Sequence, residues 1–515
     1  MNTTKVIDFL VDQGELVDES VTASVDKIIK YTPKEELKDR LLAFFKKFFP
    51  EVDTSIFFSS FFVTKDTQGR ISILKSHEKT PSKRSVQDFV KYFNIRFKSI
   101  ESILKSRSEL TGLTSISRVK QKSERETVSI IGMVAEKNET KNGHIILTLE
   151  DLSGTINVLI NKDNKDLLEI GKDLSYDEVI GVVGSTGGDI VFSNTIVFPD
   201  IPLSKELKKS PYDHYAVFLS DLHAGSNVFL KKEIHRVLLW LNGKIGSPAQ
   251  REIASKTKYL FVVGDLIEGV GIYPGQENDL EIMSSKDQYD YVAELFEKIP
   301  KHIKIIICPG NHDIGRIAEP QLPIPKEYAQ RLWDMDNVIM VSNPAYVSVD
   351  VTDEFAGIDV LLYHGYSLIY YSDAIPSIRS GGGQKLADDI MVYLLKRRHL
   401  APSHGSTLYV PDTYEDPLVI DPIPDIFATG HIHRAQSKTY RNVTCINCSG
   451  WGAITEDQEK RGLEPQPGRV IAVSLKTREV KFMNFNSSKD VRTVAERLAL
   501  EKENISKQKS KEEKS

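Results

Sequence analysis

Five short segments of this sequence end an apolar run in residues able to hold a metal ion. "YAVFLSDLHAG" closes on Asp221 and His223, and "KYLFVVGDLIEG" closes on Asp265. "IKIIICPGNHD" closes on Asn311, His312 and Asp313, "IDVLLYHGYS" delivers His364, and "PDIFATGHIHRA" delivers His431 and His433. Imidazole with carboxylate and amide oxygens, and no thiolate, suits Mn, Fe, Zn or Ni rather than a structural zinc site or a calcium loop. The five strand ends present these nine residues, too many for one tetrahedral ion. They suit two ions that share a bridging carboxylate.

Each segment alone would be a weak signal. A lone buried His is more often a satisfied core residue, and an Asp after a strand is more often a turn or helix cap. Five in order, each after a hydrophobic strand, leave those readings little room. Strands that stop at polar residues imply an α/β domain with its site at the carboxyl edges of the strands.

The rest of the 515-residue chain bounds what surrounds that domain. The length predicts roughly three domains, and 40% apolar with 27% charged residues is ordinary for a globular protein. Three cysteines cannot form a disulfide framework, the first residues lack a basic segment followed by an apolar run, and no window approaches a membrane span. The expectation is a reduced, cytoplasmic protein that does not enter a membrane. Cys445 and Cys448 have CxxC spacing but lie in the strand-like "NVTCINCSGW", so they read as buried strand residues rather than a zinc or redox pair.

Charge is unevenly spread. Residues 65–125 carry 15 Lys/Arg against 6 Asp/Glu, a net of +9 within a chain of −5 overall. Within that block, "VQDFVKYFNIRFKSIESILKSR" sets Val86, Phe89, Val90, Phe93, Phe97, Ile100 and Leu104 at helical spacing, with Lys and Arg opposite. The basic face reads as a solvated surface, with proximity to nucleic acid as the other reading. Amphipathic segments before it predict a small helical domain over 1–64, followed by a basic linker and helix over 65–123. The Lys/Glu-rich end, 486–515, reads as a disordered tail.

Residues 124–205 are β-rich. Gly132 sits inside the first segment, where a bulge or bend is expected, and Ser153-Gly154 marks a hairpin turn. The segment order resembles OB-fold modules, which take up single strands but also serve as protein docking surfaces. The domain over 213–485 then carries the five ligand segments.

Those segments, "SDLHAG", "GDLIEG", "PGNHDIG", "YHGYS" and "TGHIHR", resemble the calcineurin-like metallophosphoesterases. The resemblance implies an α/β/β/α sandwich, so the expected whole is a multidomain α+β protein. It implies that Asp221, His223 and His433 hold one ion, that Asn311, His364 and His431 hold another, and that Asp265 bridges them. His312 becomes the acid beside the leaving oxygen, with Asp313 orienting it. The ions would be Mn²⁺, with Mg²⁺, Fe²⁺, Zn²⁺ or Ni²⁺ as alternatives.

The wider order, together with "GDLIEGVGIYPGQ", "GNHDIGRIAEPQ" and "INCSGWGAIT", resembles the small subunits of archaeal family D DNA polymerases. That resemblance implies a 3′–5′ exonuclease, a large polymerase subunit as partner, primer-template DNA and single-stranded 3′ ends as substrates, and a link to the sliding clamp through the complex. The accessory subunits of eukaryotic replicative polymerases share the architecture with most ligands replaced and act as scaffolds; all seven positions are filled here. "YHGYSLIYYSD" lacks an Arg expected soon after His-Gly, a departure that bears on substrate handling. Of the remaining candidates, His404 reads as a turn residue, Tyr273 and Gln276 as shaping the loop after Asp265, and Trp451 as core.

Overall fold

The computed structural model describes residues 3, 6, 7, 10, 17–32, 37–49, 71–78, 83–122, 125–412, 414–454, 458, 460, 462 and 464–486. The tail expected over 486–515 lies outside them from residue 487 on. Chain contacts divide the protein into one unit of Met1–Lys75 with Tyr346–Gly357, and a second of Ser76–Ala345 with Ile358–Ser515.

In the first unit, helices Glu19–Tyr31 and Leu37–Phe48 contribute to one apolar cluster that includes Val25, Leu41, Phe44 and Phe45. Asp18 caps the first helix, its side chain accepting from the Val21 N–H at 2.9 Å. Strand β1 (Ser72–Lys75) pairs antiparallel with β11 (Ala345–Val349), Ser72 opposite Ser348.

The second unit opens with helix Val86–Lys105, on which Tyr92, Phe97, Ile100 and Leu104 are buried. Two features depart from the periodicity. Val86, Phe89 and Val90 are exposed, and Arg96 is buried among the aromatics. The cause is Asp416, a buried carboxylate that accepts from Arg96 Nε at 2.7 Å, from Tyr92 at 2.6 Å and from His399 Nε2 at 2.8 Å. Hydrophobic spacing cannot register a cation whose partner lies 320 residues away.

This cluster makes stability pH-dependent. Burial, reinforced by the Arg96 charge, pushes His399 down to about 4 although Asp416 opposes it. The unfolded chain therefore binds the proton first as pH falls from about 6.5 to 4, and stability falls across that window. The full contribution is on the order of 3 kcal/mol. We expect the unfolding midpoint in denaturant to drop between pH 7 and 4.5, and the drop to shrink in His399→Asn. Arg96→Ala leaves Asp416 uncompensated and is expected to cost about 3–5 kcal/mol at pH 7 in the same titration.

Next comes a closed barrel of β2 (Thr127–Glu139), β3 (Ile145–Asp151), β4 (Gly154–Ile160), β5 (Val179–Thr186) and β6 (Ile190–Val197), in the order β2-β3-β4-β6-β5. The turn after β3 forms because Asp151 Oδ1 accepts from the N–H groups of Ser153 and Gly154. The bulge falls between Val134 and Glu136 rather than at Gly132. Gly132 is instead needed for close packing, since a Cβ there would lie 2.9 Å from the Leu149 Cβ.

Two sheets complete this unit. One runs β10 (Val338–Met340), β9 (Lys304–Cys308), β8 (Thr257–Val263), β7 (Tyr215–Leu219), β16 (Arg469–Ser474), β17 (Val480–Asn484), the first four parallel. The other contains β12 (Ile358–Leu362), β13 (Ile426–Thr429) and β15 (Val443–Asn447) in parallel, flanked by antiparallel β14 (Gln436–Tyr440). The parallel strands are mostly buried, as parallel strands covered on both faces should be. Trp451 is fully buried in the larger core, and Cys308, Cys445 and Cys448 are buried free thiols whose pKa burial pushes up. Among the described residues no helix is long and apolar enough to cross a membrane.

Candidate metal centre

Every ligand candidate follows the carboxyl end of a strand: β7 precedes Asp221 and His223, β8 Asp265, β9 Asn311 and His312, β12 His364, and β13 His431 and His433. The backbone there is forced. Asp221, His223, Asp265, His431 and His433 all adopt positive φ, between 51° and 68°. For non-glycine residues this left-handed conformation costs roughly 1–3 kcal/mol each and persists only where the surroundings impose it. Two glycines make the approach possible. A Cβ on Gly310 would lie 2.2 Å from Asp265 Oδ1, and one on Gly430 would lie 2.6 Å from Asp221 Oδ2.

The side chains form three overlapping groups: Asp221, His223 and His433; Asp265, His364 and His431; and His223, Asp265 and His312. His223 Nε2 lies 3.2 Å from His433 Nε2, which lies 3.3 Å from Asp221 Oδ1. On the other side His364 Nε2 lies 3.0 Å from Asn311 Oδ1 and 3.3 Å from Asp265 Oδ2. Ligands about 2.1 Å from a common ion stand about 3.0 Å apart in an octahedral arrangement and about 3.4 Å in a tetrahedral one. The observed separations match the edges of such polyhedra. Asp265 reaches both sets, with its Oδ2 3.8 Å from His223 Nε2.

Electrostatics points the same way. Burial would raise the Asp265 carboxyl, but His364 and His312 hold it well below its usual range. In return, and against burial, Asp265 lifts His364 to about 10, and Glu268 lifts His223 to about 9. Burial and the charge on His364 push His431 down to about 3. Buried carboxylates favour positive charge beside them, here on two histidines; a divalent cation could take the place of those protons.

Surrounding groups fix the rings. His364 Nδ1 donates to the Val263 carbonyl at 2.9 Å, which turns Nε2 inward. The His364 N–H donates to Asn343 Oδ1 at 2.8 Å, Asn343 donates to Gln321, and Gln321 donates to the Gly310 carbonyl at 2.9 Å. This amide chain ties the His364 loop to the loop of Asn311. His312 Nδ1 donates to the Glu268 carbonyl at 2.8 Å, and its own N–H donates to Asp265 Oδ1 at 2.8 Å.

Asp313 was expected to orient His312, and its contacts lie elsewhere. It accepts from the N–H groups of Gly310 and Leu266 at 2.9 and 3.2 Å and from Tyr289 at 3.0 Å. The Asp313 carboxylate thus joins its own loop to the one after β8 through their amides, and it is the backbone carbonyl of Glu268 that holds the His312 ring. Glu268 also sets its Oε2 3.0 Å from His223 Nδ1. Its only sequence signal is its place three residues after Asp265; Asn343, Gln321 and Tyr289 carried none. Removing an outer partner of this kind typically costs 10- to 100-fold in metal affinity. Glu268→Ala is therefore expected to weaken Mn²⁺ binding by about that factor in a calorimetric titration, with the fold retained.

Gln276 is buried and donates to the Glu268 carbonyl at 3.1 Å, holding the loop after Asp265, while Tyr273 is 40% exposed and donates to Asp279. His404 is exposed, its Nδ1 2.5 Å from the Tyr409 hydroxyl, outside the three groups.

Comparison with known proteins places this geometry. Residues 217–438 match the family model for the B subunits of DNA polymerases alpha and epsilon, and residues 128–189 match the "OB-fold nucleic acid binding domain". The DNA polymerase II small subunit of Methanothermobacter thermautotrophicus is 40% identical over 385 residues, 75% of this chain and 77% of that one. Its counterpart from Archaeoglobus fulgidus is 40% identical over 76% of each chain, and that from Thermoplasma acidophilum is 32% identical over 95% of this chain and 94% of the relative. The last match covers nearly the whole of both chains. With ligand-bearing strand ends, a closed five-stranded barrel and these relatives together, the chain belongs to the family of archaeal DNA polymerase II (family D) small subunits.

Proposed function

We propose that the chain is the 3′–5′ exonuclease subunit of a heterodimeric replicative DNA polymerase. The observation that carries this reading is the spacing of the donor atoms: two sets at coordination-edge distances, with Asp265 reaching both. Asp221, His223 and His433 would hold one divalent cation and Asn311, His364 and His431 the other, Mn²⁺ in both. Bound there, the pair supplies charge neutralisation for phosphoryl oxygens and acidifies water.

The chain's own groups do the rest. His312, held through Nδ1 by the Glu268 carbonyl, leaves Nε2 to deliver a proton to the departing 3′ oxygen. A phosphodiester's alkoxide needs that proton more than an aryl oxide would. Asp313 and Tyr289 keep the His312 loop in place, and the Asn343–Gln321 chain keeps Asn311 and His364 in register. We read the two sheets as a metallophosphoesterase sandwich over 213–485, preceded by a helical domain (1–64), a basic linker and helix (65–123) and an OB domain (124–205). The relatives' designation as small subunits supports pairing with a large polymerase subunit, and the OB barrel suits a DNA strand on its way to the site.

The test is polarity and product. With Mn²⁺, a 5′-labelled single strand should shorten from its 3′ end and release 5′-mononucleotides. Shortening from the 5′ end, or internal cuts alone, would overturn the reading.

A further inference from the structure

Four tyrosines flank or follow His364; Tyr370 packs on the Leu368 cluster edge-on to Tyr371, and two others are structural. Tyr363 is buried with its hydroxyl donating to Ser367, and Tyr371 is buried with its hydroxyl donating to Ser406. Tyr366 differs. It is partly exposed, its hydroxyl makes no hydrogen bond among the described residues, and its ring lies 5.5 Å from that of His431 at a 38° tilt. Contacts then run from His431 to His364 at 5.1 Å between ring centroids, through Asp265 to His223, and on to His312 at 4.6 Å between rings. Tyr366 thus lies against the group of Asp265, His364 and His431, whereas His312 belongs to the group with His223 and Asp265.

We propose that Tyr366 is the stacking platform for the base of the nucleotide being removed, so that the site takes an unstacked, single-stranded 3′ end. This rests on the exonuclease reading. In that reaction the bond between phosphorus and the 3′ oxygen of the retained strand breaks, a bond from water oxygen to phosphorus forms, and the proton from His312 goes to the 3′ oxygen. The retained strand therefore lies by His312, and Tyr366, which touches His431 rather than His312, is left for the excised nucleotide. A partly exposed aromatic ring beside the site accepts any base, because every base has a π-face. A base still paired in a duplex cannot reach it, so a frayed, mismatched terminus is favoured.

The test compares two oligonucleotides that differ only at the 3′ terminus, one ending in 2-aminopurine and one in an abasic residue. Binding is measured in EDTA, where nothing is cleaved, and hydrolysis is measured with Mn²⁺. The wild type should prefer the 2-aminopurine end by roughly 5- to 150-fold in affinity, with quenching of its fluorescence. Tyr366→Leu should abolish both effects while binding the abasic strand as before, and Tyr366→Phe should keep both. No preference in the wild type, a preference surviving in Tyr366→Leu, or equal weakening toward both strands would overturn the proposal. Failure to shorten either strand with Mn²⁺ while the Tyr366-dependent preference persists would instead count against the exonuclease reading.

Discussion

Asp265→Asn should abolish 3′-end hydrolysis, lowering the rate by about 10³-fold or more, equivalent to roughly 4 kcal/mol of barrier, while leaving the fold intact. The carboxylate reaches into both donor sets, 3.3 Å from His364 Nε2 and 3.8 Å from His223 Nε2. An amide of the same shape keeps an oxygen but loses the charge that draws cations to two buried imidazoles. Bound Mn²⁺ should therefore fall below two per chain, and hydrolysis should fall with it. Circular dichroism and thermal unfolding serve as the control for folding. Full activity in a folded Asp265→Asn chain would exclude the site as the catalytic centre.

His312→Ala should separate chemistry from metal binding. His312 makes its two ring and backbone hydrogen bonds to Glu268 and Asp265, and the proposed polyhedra are complete without it. Metal content should hold while hydrolysis of DNA drops roughly 10²- to 10⁴-fold, the range for a positioned general acid. Bis(p-nitrophenyl) phosphate, whose aryl oxide departs without a proton, should be hydrolysed by the variant nearly as fast as by wild type. An equal loss on both substrates, or loss of metal, would show that His312 acts by another route.

The metal-competent residues were legible because a strand end is a local event. An apolar run followed at once by a small residue and a His or Asp marks a position within a few residues, and Asp221, Asp265 and His431 lie just past β7, β8 and β13. The barrel was legible for the same reason, through its turns and strand spacing. Long-range polar partnerships were not. Arg96 looked like one more exposed cation until Asp416 came beneath it, and Asn343 and Gln321 lie in segments with no pattern of their own. The placement of Asp313 away from the His312 ring, which the Glu268 backbone carbonyl holds instead, has the same origin. Adjacent residues suggested a partnership, but loop geometry gave Asp313 to the backbone amides and brought Glu268 to His312 from another strand end.

The most direct test of the two-cation centre is a stepwise Mn²⁺ titration in which bound ions and 3′-end hydrolysis are followed in the same sample, with and without the large polymerase subunit. The geometry predicts two ions per chain, hydrolysis that rises as the second binds, and the loss of both in Asp265→Asn. Fewer than two bound ions at saturation would contradict the two-cation centre. Two bound ions with no hydrolysis in either setting would contradict its catalytic role and make the chain a scaffold that has retained its metal ligands.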